Sequence, residues 1–128
     1  MSVSIAVARA RSDTKAYEPF DGLDTVLAGD PAARVAWLRT HSGGQGVLYT
    51  GMFTAQPSTF RYSFSGDESL HVLDGDLDVA VDGGPTVTLG PGDIASFPKG
   101  AVSTWTIRAP QCAFHRAVLA CLSAKSFR

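Results

Sequence analysis

The sequence has little cysteine, almost no net charge and no long apolar run. Only Cys112 and Cys121 occur in 128 residues. Two cysteines do not make the disulfide framework of a small secreted domain, so both are read as reduced thiols. Eleven Lys and Arg stand against twelve Asp and Glu, for a net charge of −1. Without a basic field there is nothing to draw nucleic acid or an anionic membrane surface. No apolar run approaches the ~20 residues of a membrane helix. The apolar stretch 3–8 precedes Arg9 and Arg11, the reverse of a signal peptide's order, and a cytoplasmic protein is expected. Convincing helical periodicity is also missing.

What is present is punctuation. Thirteen glycines and seven prolines divide the chain into short segments, many rich in Val, Leu and aromatic residues. Asp30-Pro31 precedes a strand at 34–39, and Gly43-Gly44 ends it. Residues 46–54 form a second run, broken by Pro57. Residues 59–65 alternate Phe60, Tyr62 and Phe64 with Thr59, Arg61 and Ser63, the period of a strand with one buried face. Asp74-Gly75, Asp82-Gly83-Gly84, Gly90-Pro91-Gly92 and Pro98-Lys99-Gly100 then separate strands at 69–73, 77–81, 86–89, 94–97 and 102–107. Asp-Gly and Gly-Gly between apolar runs are hairpin signals. Turns every 8–12 residues point to an all-β sandwich or barrel. A last strand is expected over 113–122, and 120–128 reads as a short terminal helix or a frayed end. Residues 1–33 read as irregular apart from one strand near 5–9. The expectation is a single domain over 1–128, with the barrel core at about 34–120.

Two of these turns fall inside recognisable motifs. Glu68, six residues and Gly75 resemble the end of the first cupin motif. Gly92, five residues and Pro98-Lys99-Gly100 resemble the second. The resemblance covers about residues 45–120 and implies the cupin fold, a double-stranded β-helix or jelly-roll barrel. Metal-binding cupins carry His-x-His before the Glu and another His beyond the Pro-x-Gly. Those positions here hold Tyr62, Phe64 and Ser103. A lone carboxylate without imidazoles is a poor transition-metal site, so neither metal nor other cofactor is expected. The chain is similar to a subset grouped with the ureidoglycine aminohydrolase and ethanolamine-utilisation cupins. Phe60 to Phe64, Asp67-Glu68, His71-Val72-Leu73-Asp74-Gly75, Phe97-Pro98-Lys99-Gly100 and Trp105 match its pattern. It departs at His71, where Tyr is usual, and at Tyr49, where Trp is common. Cys112-Ala113 stand in place of an Arg-Lys pair.

In a strand, residues of equal parity share a face. Tyr62 and Phe64 share one, and Ser103 and Trp105 share another. In the cupin register both pairs point into the barrel with Glu68, and Tyr49 joins the wall through the resemblance. The expected site is an aromatic cavity holding one carboxylate. Glu68 is then a general acid or base, its pKa raised by burial, with Tyr62 orienting the substrate. Phe64, Ser103, Trp105 and Tyr49 would line the substrate site. The alternative is a structural Glu68, bonded to Tyr62 or to backbone amides. His71, three residues from Glu68, belongs to the opposite face. Cys112 and His115 also take opposite faces and make no zinc pair. His41 reads as a solvated loop residue.

Two functions fit. One is a metal-independent enzyme of isomerase, cyclase, lyase or deaminase type acting on a small molecule. The other is a non-catalytic small-molecule binding cupin. A homodimer is the expected assembly, by resemblance.

Overall fold

The computed structural model describes residues 17–39, 47–108 and 117–125. In chain order the strands are β1 (Glu18–Pro19), β2 (Thr25–Gly29), β3 (Arg34–Arg39), β4 (Val47–Ala55), β5 (Ser58–Ser63) and β6 (Gly66–Asp74), followed by β7 (Leu77–Val81), β8 (Thr86–Leu89), β9 (Ile94–Phe97), β10 (Val102–Ile107) and β11 (Ala117–Lys125). The described residues contain no helix, and so none long and apolar enough to cross a membrane.

The strands form two antiparallel sheets. The first runs β1-β3-β4-β11-β6-β9 and the second β2-β5-β10-β7-β8. Alternation decides which side chains lie between them. Along β6, Glu68, Leu70 and Val72 are buried, while Asp67, Ser69 and His71 face away. Along β10, Ser103, Trp105 and Ile107 are buried. Phe60, Phe64, Leu70, Leu77, Val72 and Val79 are among the most completely buried side chains. Each such apolar side chain contributes about 1.5–3 kcal/mol relative to remaining exposed.

The motif turns stitch one end of the barrel together. The Gly100 amide donates to the Phe64 carbonyl at 2.8 Å, and the Phe64 amide donates to the Ala101 carbonyl at 2.9 Å. The Lys99 amide donates to Asp67 Oδ1 at 2.9 Å. The Pro98-Lys99-Gly100 turn is thereby fixed beside the start of β6, where Glu68 sits. At Gly100 φ is +91°, a conformation that costs glycine little.

Two expectations are corrected. Residues 18–19 and 25–29 are not irregular, because β1 extends the first sheet through β3 and β2 extends the second through β5. All five β2 residues are exposed, so no alternation marks them as a strand. Residues 120–125 are neither helical nor frayed. They belong to β11, which is paired on one side with β4 and on the other with β6. The strand expected near 5–9, His41, Cys112 and His115 lie outside the described residues.

Candidate functional site in the barrel interior

The second sheet supplies most of the candidate side chains through one pair of strands. In the β5–β10 ladder Tyr62 stands opposite Ser103, and Phe60 opposite Trp105. Directly opposed residues project from the same face, so alternation and register bring these four together. The Ser103 hydroxyl donates to the Tyr62 carbonyl at 2.9 Å and accepts from Trp105 Nε1 at 3.0 Å. Its one proton is therefore committed to the backbone. That bond also satisfies the indole N–H of a residue that is 3% exposed.

Glu68 comes from the first sheet, opposite Phe97 in the β6–β9 ladder. It is 7% exposed. The Tyr62 hydroxyl donates to Glu68 Oε1 at 2.8 Å. Rings surround this pair. Tyr62 meets Phe64 edge-on at 4.9 Å and Trp105 at 5.8 Å. Phe64 stacks on Phe97 at 4.7 Å with 10° between their planes. Such contacts add about 0.5–1.5 kcal/mol each beyond area burial. Tyr62 as a whole residue is half-buried, whereas Glu68 is buried.

The structure thus brings Tyr62, Phe64, Glu68, Ser103 and Trp105 into one cluster. Tyr49 lies on β4 opposite Ser123, which is itself opposite Glu68. Its backbone shares Glu68's row, and its side chain lies outside the described residues. Three aromatic members escaped the reading of the sequence. Phe97 precedes the Pro-x-Gly and could have been found by parity from that motif. Phe53 packs on Trp105 at 6.4 Å, and it sits in a run buried on both faces, where alternation carries no signal. Phe20 contacts Phe53 at 5.4 Å and Tyr62 at 6.5 Å. Any side chain at Gly22 would collide with its ring. Nothing local marks Phe20, which joins the cluster through pairing at the sheet edge.

The donor set does not suit a transition metal. Phe64 offers no lone pair, Ser103 is engaged on both sides, and the Tyr62 proton bridges to Glu68. No group of three or more His, Cys, Asp or Glu able to hold a metal ion occurs among the described residues. Hard, oxygen-only coordination by one carboxylate and one phenol lacks the imidazoles that such ions favour.

The outer face of the second sheet is charged and separate from this cluster. Arg108 pairs with Asp76 at 2.5 Å and with Asp78 at 2.6 Å, and Arg61 pairs with Asp82 at 2.6 Å. Hydrogen bonds from Arg108 and Thr88 hold Asp78 below its ordinary pKa. The hydrogen bond from Arg61 does the same for Asp82.

Two facing antiparallel sheets, glycine turns at both motif positions and a Glu68-centred interior define a cupin. The family model of the EutQ-like cupin domain matches residues 42–113, and the chain belongs to that family. No curated protein matches it. Among solved structures it is similar to the ethanolamine utilization protein Q (EutQ) of Salmonella typhimurium LT2. That likeness has a TM-score of 0.65 and 20% identity, and it covers 84% of this chain and 77% of that one. The polyketide cyclase RemF from Streptomyces resistomycificus is similar with a TM-score of 0.64 and 15% identity over 94% of this chain and 80% of its own. Ectoine synthase from P. lautus gives 0.59 and 13% over 77% and 69%. At these identities the likeness establishes the fold.

Proposed function

We propose that this cupin is an enzyme that acts on a small molecule inside its barrel, with Glu68 moving the proton and Tyr62 orienting carboxylate and substrate. The observation that carries the reading is the Tyr62–Glu68 bond between the two sheets. It holds a buried carboxylate in one orientation beside a tyrosine that is half-buried as a whole residue. A general base must be held within hydrogen-bond reach of the proton it takes, and a fixed orientation supports that role. The chemistry would be proton transfer of the isomerase, cyclase, lyase or deaminase kind, without a metal. A polyketide cyclase and an ectoine synthase share the fold, which lends support by analogy only.

The Trp105–Ser103–Tyr62 chain favours a second reading, in which the same groups are fixed for binding without turnover. A screen of small metabolites against the wild type and Glu68→Gln separates the two. The enzyme reading expects a compound that the wild type converts and the variant converts at least ~100-fold more slowly, as for loss of a general base. Full activity in Glu68→Gln would refute it. Retained activity after dialysis against EDTA is also expected, and its loss would overturn metal independence.

A further inference from the structure

β2 is the outermost strand of the second sheet. β5 pairs with one side of it, and no described strand pairs with the other. Such an edge presents a row of backbone N–H and C=O groups to any strand that reaches it. β2 contains no Lys, Arg or Pro, residues that commonly blunt an edge. All five of its residues are exposed. Val26 is 47% exposed and its neighbour Leu27 56%. Neighbours on a strand take opposite faces, so the edge is apolar on both. The register shift between Val26 and Ala28 leaves Leu27 without a partner on β5.

Acids bracket this apolar strand. Asp24 precedes it and Asp30 follows it. Residues 18–30 contain Glu18, Asp21, Asp24 and Asp30, all exposed, and no Lys, Arg or His. Ser63 Oγ donates to Asp24 Oδ2 at 2.6 Å, and the Ala32 amide donates to Asp30 Oδ1 at 2.9 Å. Each carboxylate is thereby held at one end of the strand. Arg61, opposite Thr25, is engaged by Asp82. A second β2 laid against the first would bring Asp24 and Asp30 of both copies to one seam, and like charges oppose such pairing. A strand with basic ends meets the opposite charge at each.

We propose that the free edge of β2 is a docking site for an extended segment of a partner protein, apolar at its centre and basic at both ends. The segment adds a strand to the second sheet. Main-chain hydrogen bonds attach it, Val26 and Leu27 give it apolar contact, and Asp24 and Asp30 select its charge. Strand rise puts Asp24 and Asp30 roughly 20 Å apart, so the basic residues of the partner stand about five positions apart. None of this depends on the role of Glu68.

Fluorescence anisotropy of the labelled, end-blocked peptide Lys-Thr-Val-Val-Thr-Lys against the full chain tests this, with Glu-Thr-Val-Val-Thr-Glu as its counterpart. Saturable binding of the basic peptide to the wild type is expected at low salt, at least roughly tenfold tighter than the acidic one, and weaker as salt is added. Leu27→Lys places a like charge on the edge and should raise the Kd of the basic peptide roughly tenfold. Val26→Lys decides the matter if that variant does not fold. Absence of saturable binding, equal affinity for the two peptides, or unchanged affinity in the variant that folds overturns the proposal. A wild-type dimer in light scattering that Leu27→Lys converts to monomer would also overturn it, by giving the edge to a second copy of this chain.

Discussion

The Tyr62 hydroxyl reaches across the barrel to Glu68 Oε1 at 2.8 Å, joining a strand of one sheet to a strand of the other. Removing the donor leaves a buried carboxylate short of a partner. Loss of one partner of a buried hydrogen bond costs about 1–3 kcal/mol. Tyr62→Phe should therefore lower the unfolding free energy by about that amount in urea. Glu68→Gln keeps a carbonyl acceptor and should lose less. Equal stability of Tyr62→Phe and the wild type would show that the bond contributes nothing net.

Ser103 offers a second, independent measurement. Its hydroxyl serves the Tyr62 carbonyl and the Trp105 indole together, and its side chain is 0% exposed. Ser103→Ala orphans a buried N–H and should cost about 1–3 kcal/mol. Trp105→Phe removes the donor as well as the need for it, so the double variant should lose less than the sum of the two singles. Additive losses would mean that the two groups do not interact.

Strands bounded by turn residues and buried on one face were legible in the sequence. β7, β8, β9 and β10 lie where the apolar runs and the flanking Gly, Pro and Asp put them, and β3 lies where Asp30-Pro31 and its own residues put it. β2 was illegible because both of its faces meet solvent, so it exists through its pairing with β5. β11 was misread at its end because Ala120, Ser123 and Ala124 carry no strand pattern, and insertion between β4 and β6 overrides that weak preference. Parity paired Tyr62 with Phe64 and Ser103 with Trp105, and their convergence with Glu68 was implied by the cupin resemblance. Phe20 could not be reached that way, because pairing between strands at the sheet edge brings it to the cluster and single-strand periodicity does not encode register.

The ion pairs on the outer face set an acid limit on stability. Arg108 holds Asp78 below its ordinary value of about 3.9, and Arg61 does the same for Asp82. A carboxylate whose pKa is depressed in the folded state stabilises fully above its unfolded value, and the contribution is lost as pH falls through the folded value. The guanidinium of Arg108 is raised, so its contribution is already complete throughout this acidic range. The difference in thermal midpoint between the wild type and Arg108→Gln should be positive but small at neutral pH, as for exposed pairs. It should shrink below about pH 4, as Asp78 is protonated. A difference that persists undiminished in strong acid would trace the effect to packing of the arginine stem.

Gly92 separates backbone conformation from packing. It has φ of +91°, and a Cβ there would meet nothing within 4 Å. Its amide donates to the Val72 carbonyl at 2.8 Å, while the Val72 amide donates to the Asp93 carbonyl at 2.9 Å. The turn is therefore tied to the buried middle of β6. A side chain has room but strains the backbone, and Gly92→Ala should cost about 1–2 kcal/mol. Gly90, in the same turn, has equally open surroundings without a left-handed φ. Gly90→Ala should stay within ~1 kcal/mol of the wild type and can even stabilise by restricting the unfolded chain. Urea titration of both variants checks the contrast. Equal losses would mean that something other than φ selects glycine in the second motif.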